Sequence, residues 1–118
     1  MKLIALIIST MFAIFAYADT FQYKGCYSKD DLASKLVAKG AYTYQSRGWC
    51  QSQCPSAAVL ALLNGSDCFC GDDAKVLKGL KTVEEAKCNK PCNGYPFEVC
   101  GSENYLSVLL NDKFKNDV

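Results

Sequence analysis

The hydrophobic and polar positions divide the chain into unequal regimes. Residues 3–16 are apolar apart from Ser9 and Thr10; Lys2 precedes them, and Ala16-Tyr17-Ala18 leads into polar Asp19. A short positive start, an apolar run and a small-x-small triplet form a secretory signal peptide, and the run is short for a bilayer span. Cleavage after Ala18 is therefore expected. No later apolar stretch reaches spanning length, and the chain closes on the polar segment 113–118. The expected organisation is a signal peptide over 1–18, one domain over 19–112 and a polar tail over 113–118, with no membrane span after signal removal.

Between these ends the pattern predicts short elements. Phe21 to Tyr27 alternates partly and reads as an opening strand. Residues 28–40 have room for a helical turn around Asp30 to Ala33. Tyr42-Thr43-Tyr44-Gln45 is β-prone, and in an extended segment Tyr42 and Tyr44 share a face. Ser46 to Cys54 reads as a short helix with Ser46 as N-cap, stopped near Pro55. The apolar run Ala58 to Leu63, Asn64-Gly65 and then Asp67 to Gly71 predict a hairpin, because both central turn positions require positive φ. Thr82-Val83-Glu84-Glu85 fits a capping box opening a short helix toward Lys87. Residues 89–94 read as a turn, and Tyr105 to Leu110 as a closing strand. The fold class is α+β: a small antiparallel sheet with one or two short helices.

Composition adds the constraint that periodicity lacks. The 118 residues include 8 Cys and no His, with 13 basic against 12 acidic side chains. Without His there is no Ser-His-Asp triad, no Cys-His nucleophile and no His-containing zinc site. The near-zero net charge argues against nucleic acid as a partner, since binding a polyanion needs clustered Lys and Arg. All eight cysteines fall in the mature part, which faces an oxidising compartment. The domain is thus expected to be disulfide-rich, secreted and extracellular or cell-wall associated. No cofactor is expected.

Local spacing narrows the pairing. Cys50 and Cys54 on a helix share a face about 6 Å apart. Cys68 and Cys70 on a strand share a face about 6.7 Å apart. A helix lying on the hairpin could be stapled twice, as Cys50–Cys68 with Cys54–Cys70 or in the crossed order. Cys92 and Cys100 could close a short loop, leaving Cys26 for Cys88. Thiolate zinc sites are the competing reading of Cys-x-Cys and the two Cys-x₃-Cys pairs.

The series Gly25-Cys26-Tyr27, Cys50-x₃-Cys54, Cys68-Phe69-Cys70-Gly71, Cys88-x₃-Cys92-x-Gly94-Tyr95 and Cys100-Gly101 resembles a WSC domain, across residues 21–111 or so. The resemblance implies the pairing Cys26–Cys88, Cys50–Cys68, Cys54–Cys70 and Cys92–Cys100. It also implies a compact module similar to the PAN/apple type, and binding of extracellular polysaccharide such as β-glucan. The chain has Cys100-Gly101-Ser102 where many members have Cys-Gly-Gly. The Ser/Thr-rich stalk, transmembrane helix and cytoplasmic tail of fungal cell-wall stress sensors have no counterpart within residues 1–118, so transmembrane signalling is not among the expectations.

Sugar recognition needs flat apolar faces beside hydrogen-bonding groups. The densest such cluster is Tyr42, Tyr44, Gln45 and Ser46 leading to Trp49. Asn64 and Tyr95 complete the candidate ligand-binding set. Asn64-Gly65-Ser66 is also an N-glycosylation sequon on a turn expected to be exposed. The acidic pairs Asp30-Asp31, Asp72-Asp73 and Glu84-Glu85 are better explained as solvated turns and helix starts than as a glycosidase pair, which needs a defined separation across a cleft. Lys75, Lys78 and Lys81 form a solvated basic face. The expected function is non-catalytic carbohydrate binding. The competing classes are a self-associating adhesion module and a secreted effector or inhibitor with a protein partner.

Overall fold

The computed structural model describes residues 19–118, so the expected signal peptide lies outside the described residues. Seven strands form two sheets. The main sheet contains β1 (Phe21–Ser28), β2 (Val37–Ala41), β3 (Val59–Leu63), β4 (Asp67–Gly71) and β7 (Tyr105–Asn111), in the order β1-β7-β3-β4-β2. All neighbouring strands are antiparallel. A separate hairpin joins β5 (Pro91–Cys92) and β6 (Tyr95–Val99). Two short helices, α1 (Lys29–Leu32) and α2 (Arg47–Gln53), and several 3-10 turns complete a mixed α+β module.

Both faces of the main sheet are covered. Val59, Ala61 and Leu63 of β3 and Leu106, Val108 and Leu110 of β7 pack with Tyr27, Leu32 and Leu77. The opposite face carries Leu60, Leu62 and Leu109 with Cys50, Cys68, Cys70, Cys92 and Cys100. Every residue of β3 is therefore buried, which is why this strand is uniformly apolar rather than alternating. Each fully buried leucine contributes about 1.5–3 kcal/mol of hydrophobic stabilisation.

Four disulfides knit the second face: Cys26–Cys88, Cys50–Cys68, Cys54–Cys70 and Cys92–Cys100, with no free cysteine. This is the order implied by the resemblance, and it replaces the thiolate-zinc alternative. A helix of seven residues is too short to persist alone in water. Here α2 is tied to β4 at two points, and its first turn is closed by Ser46 Oγ accepting from Trp49 N at 2.9 Å.

The Asn64-Gly65 turn has the expected conformation, with φ of 54° and 80°. Elsewhere local expectation and structure part. Tyr42–Gln45 is a tight turn, closed by Gln45 N donating to Tyr42 O at 3.2 Å, and the adjacent strand is residues 37–41 instead. Residues 89–94 are not simply a turn: Pro91 and Cys92 pair with β6, a strand absent from the sequence reading. The expected capping box is displaced, because Val83 bridges Cys26 and the 3-10 turn begins only at Glu85. The polar segment 113–118 lies mostly within a 3-10 turn, Asp112–Asp117, whose Phe114 packs on the core.

The sheet has a clear polarity. Phe21 pairs with Asn111 at one end, where Asp19 and Lys113 form an ion pair at 2.6 Å. At the other end, Leu63 pairs with both Asp67 and Leu106, and Ala41 pairs with Asp67. The candidate ligand residues gather at this second end.

Candidate functional site

Three turns meet where β3 turns into β4. Ser66 O accepts from Tyr42 N and from Gln45 Nε2, both at 3.0 Å, joining the 42–45 turn to the hairpin. Gly65 O accepts from Asn93 N at 3.0 Å, and Gln45 O accepts from Gly94 N at 2.7 Å, so the β5–β6 hairpin docks on both. Gly94 makes this possible by its lack of a side chain: a Cβ there would collide with the Tyr44 carbonyl.

These turns display an aromatic surface. The Tyr42 ring stacks on Trp49 of α2 with centroids 4.6 Å apart and planes 24° from parallel. Tyr44 meets Tyr42 edge-on at 5.9 Å. Tyr42 and Tyr44 thus meet through the turn rather than along an extended segment. Across the docked hairpin, Tyr95 and Phe97 form a second edge-on pair at 5.3 Å. Tyr44 is 70% exposed, Trp49 43%, Tyr95 47% and Phe97 85%, so none of the four is consumed by the core. Phe97 was absent from the candidate set. The signal for it was Tyr95-x-Phe97, whose i, i+2 spacing puts both rings on one face of a strand.

The polar candidates have other duties. Gln45 is fully buried; beyond its bond to Ser66, its Oε1 accepts from Ser46 N at 3.2 Å. Ser46 caps α2. Both hold the platform in shape. Asn64 Oδ1 accepts from Lys90 Nζ at 3.0 Å, and Asn64 N donates to Ser102 O. The turn carrying the sequon is consequently half-buried under residues 90–102 instead of standing free.

Beside the platform, Arg47 at the start of α2 lies over the Tyr23 ring at 4.3 Å and donates from Nε to Val99 O at 3.1 Å. The Tyr23 hydroxyl donates to Glu85. Burial, then this bond to an acceptor carboxylate, pushes the Tyr23 phenol up to about 12. The Tyr23–Arg47–Glu85 group ties β1, α2 and the 85–87 turn together. With Asp73 accepting from Lys75 N and Asp30-Asp31 in the first turn of α1, the three acidic pairs sit on separate elements. Among the described residues, no helix is long and apolar enough to cross a membrane.

The described residues thus form a cross-linked α+β module with a solvent-facing aromatic surface. The WSC domain family matches residues 23–102, and the chain belongs to that family. It is 45% identical over 92 residues to cell wall integrity and stress response component 3 of Saccharomyces cerevisiae, covering 77% of this chain and 16% of the relative. It is 43% identical over 98 residues to component 2 of the same yeast, covering 82% of this chain and 20% of the relative. The chain thus spans a fifth or less of the length of these relatives.

Proposed function

We propose that the protein is a secreted, non-catalytic module that binds cell-wall polysaccharide, with β-glucan as the leading candidate. The observation that carries this reading is the Tyr42–Trp49 stack, flanked by exposed Tyr44 and Tyr95. Flat rings displayed on a cross-linked frame suit the C–H face of a pyranose, and rings fixed in advance lose little entropy on binding. The cell-wall names of the yeast relatives and the four disulfides support an extracellular setting.

The test is retention of the oxidised mature domain on insoluble β-glucan, chitin and mannan. Retention on β-glucan is expected, and absence of retention on all three rejects the reading. Tyr44→Ala and Trp49→Ala should each weaken binding about tenfold, the equivalent of about 1.4 kcal/mol. The mass of the fully oxidised protein should be otherwise unaltered in each.

Phe97 favours a second reading, in which the platform meets a protein, including another copy of this chain. An 85% exposed phenylalanine offers more apolar surface than a sugar face needs. Concentration-dependent light scattering that Phe97→Ser abolishes would select this alternative.

A further inference from the structure

We propose that the binding surface continues from the aromatic platform into a trough between β2 and α2, making a site for an extended neutral glycan chain rather than a single sugar. This rests on the carbohydrate reading above. Two depressions, of about 230 Å³ and 370 Å³, adjoin along β2 on the side facing α2. Tyr42 and Trp49 line the first, Pro55 and Asp72 line the second, and Lys39 and Gln53 line both. The trough therefore begins at the stacked rings and follows a strand about 16 Å long.

Its chemistry selects the ligand. The side chains of Lys39, Gln53 and Asp72 are exposed and have no hydrogen-bond or ion-pair partner among the described residues. A primary amide supplies both donors and acceptors, an ammonium only donors and a carboxylate only acceptors. Together they match the mixed donors and acceptors of sugar hydroxyls. One positive and one negative charge leave no net field to select a polyanion. Neither depression is an enclosed cavity, so both suit a chain lying along the surface better than an enclosed apolar ligand. The register shift at Lys39 interrupts the regular ladder of β2, which disfavours an added peptide strand there.

The test is titration of the isotope-labelled, oxidised mature domain with a β-glucan disaccharide and hexasaccharide, read by backbone amide shifts. The hexasaccharide should bind about tenfold more tightly than the disaccharide. It should move the Asp72 amide as well as that of Trp49. Asp72→Ala, at an exposed position that lines only the second depression, should remove most of this length-dependent gain and leave disaccharide affinity unchanged. Equal affinity for the two sugars, with shifts confined to Tyr42, Tyr44 and Trp49, overturns the trough and leaves the platform standing. Absence of shifts with either sugar overturns both.

Discussion

Gly94 lies against the Tyr44 carbonyl so closely that the two turns carrying Tyr44 and Tyr95 cannot pack together around any larger residue. Gly94→Ala should therefore force the β5–β6 hairpin off the 42–45 turn. Overpacking of this kind costs about 1–3 kcal/mol. The thermal midpoint should fall, and retention on polysaccharide should fall with it, because Tyr44 and Tyr95 lose their relative placement. Gly79→Ala, in open space, provides a contrast for the packing effect, although its positive φ of 81° adds backbone strain.

The disulfides differ in accessibility. Seven of the eight cysteines are buried, whereas Cys54 is half-buried and lines the trough with Cys70. Limited reduction followed by alkylation should label Cys54 and Cys70 before the other six. Removing this bridge, which closes a separation of 16 residues, should cost about 3 kcal/mol. Removing Cys26–Cys88, with a separation of 62, should cost about 4 kcal/mol.

Asp19 links the two ends of the domain. Hydrogen bonds from Lys113 and then Asn111 hold its carboxyl below the ordinary value of 3.8. A carboxylate with a lowered folded pKa stabilises the fold above its unfolded pKa and loses that effect as pH falls through the folded value. Wild type should thus be more stable than Asp19→Asn near neutrality. The difference should begin to shrink below about pH 4 and vanish once the pH has fallen through the folded value, as read by thermal melts across pH.

Tyr23 has the opposite sign. Its phenol, raised to about 12, keeps its proton in the fold after an unfolded tyrosine has lost it. Its contribution is complete below the ordinary value of 10.0 and declines as pH rises toward 12. A spectroscopic alkaline titration should show a late-ionising tyrosine that Tyr23→Phe removes. Tyr27, also held up by burial, should remain late in that variant.

Much of the frame could be read from short-range signals. Asn64-Gly65 specified the hairpin, Ser46 specified the start of α2, and the apolar closing run specified β7. The failures share a physical cause: contacts remote in sequence decide the outcome. Val37 to Ala41 is an exposed edge strand with Lys39 and Gly40 at its centre, so neither alternation nor apolar content announces it. Tyr42 to Gln45 has β-prone residues, but hydrogen bonds to Ser66 O and from Gly94 N hold it as a turn. Gln45 has the donors and acceptors of a ligand contact and sits beside the aromatic cluster in sequence, but burial beneath two docked turns gives it a structural task. The aromatic candidates were visible as residue types. The Tyr42–Trp49 stack depended on the 42–45 turn meeting α2, and the inclusion of Phe97 on the β5–β6 hairpin.

The polarity of the sheet fixes how the module can be tethered. Asp19 and Lys113 meet at one end, while the three turns bearing the aromatic rings crowd the other. Anything attached before residue 19 therefore approaches from the end away from the rings. A fusion partner, a surface linkage or a neighbouring domain can occupy that side and leave the platform facing outward.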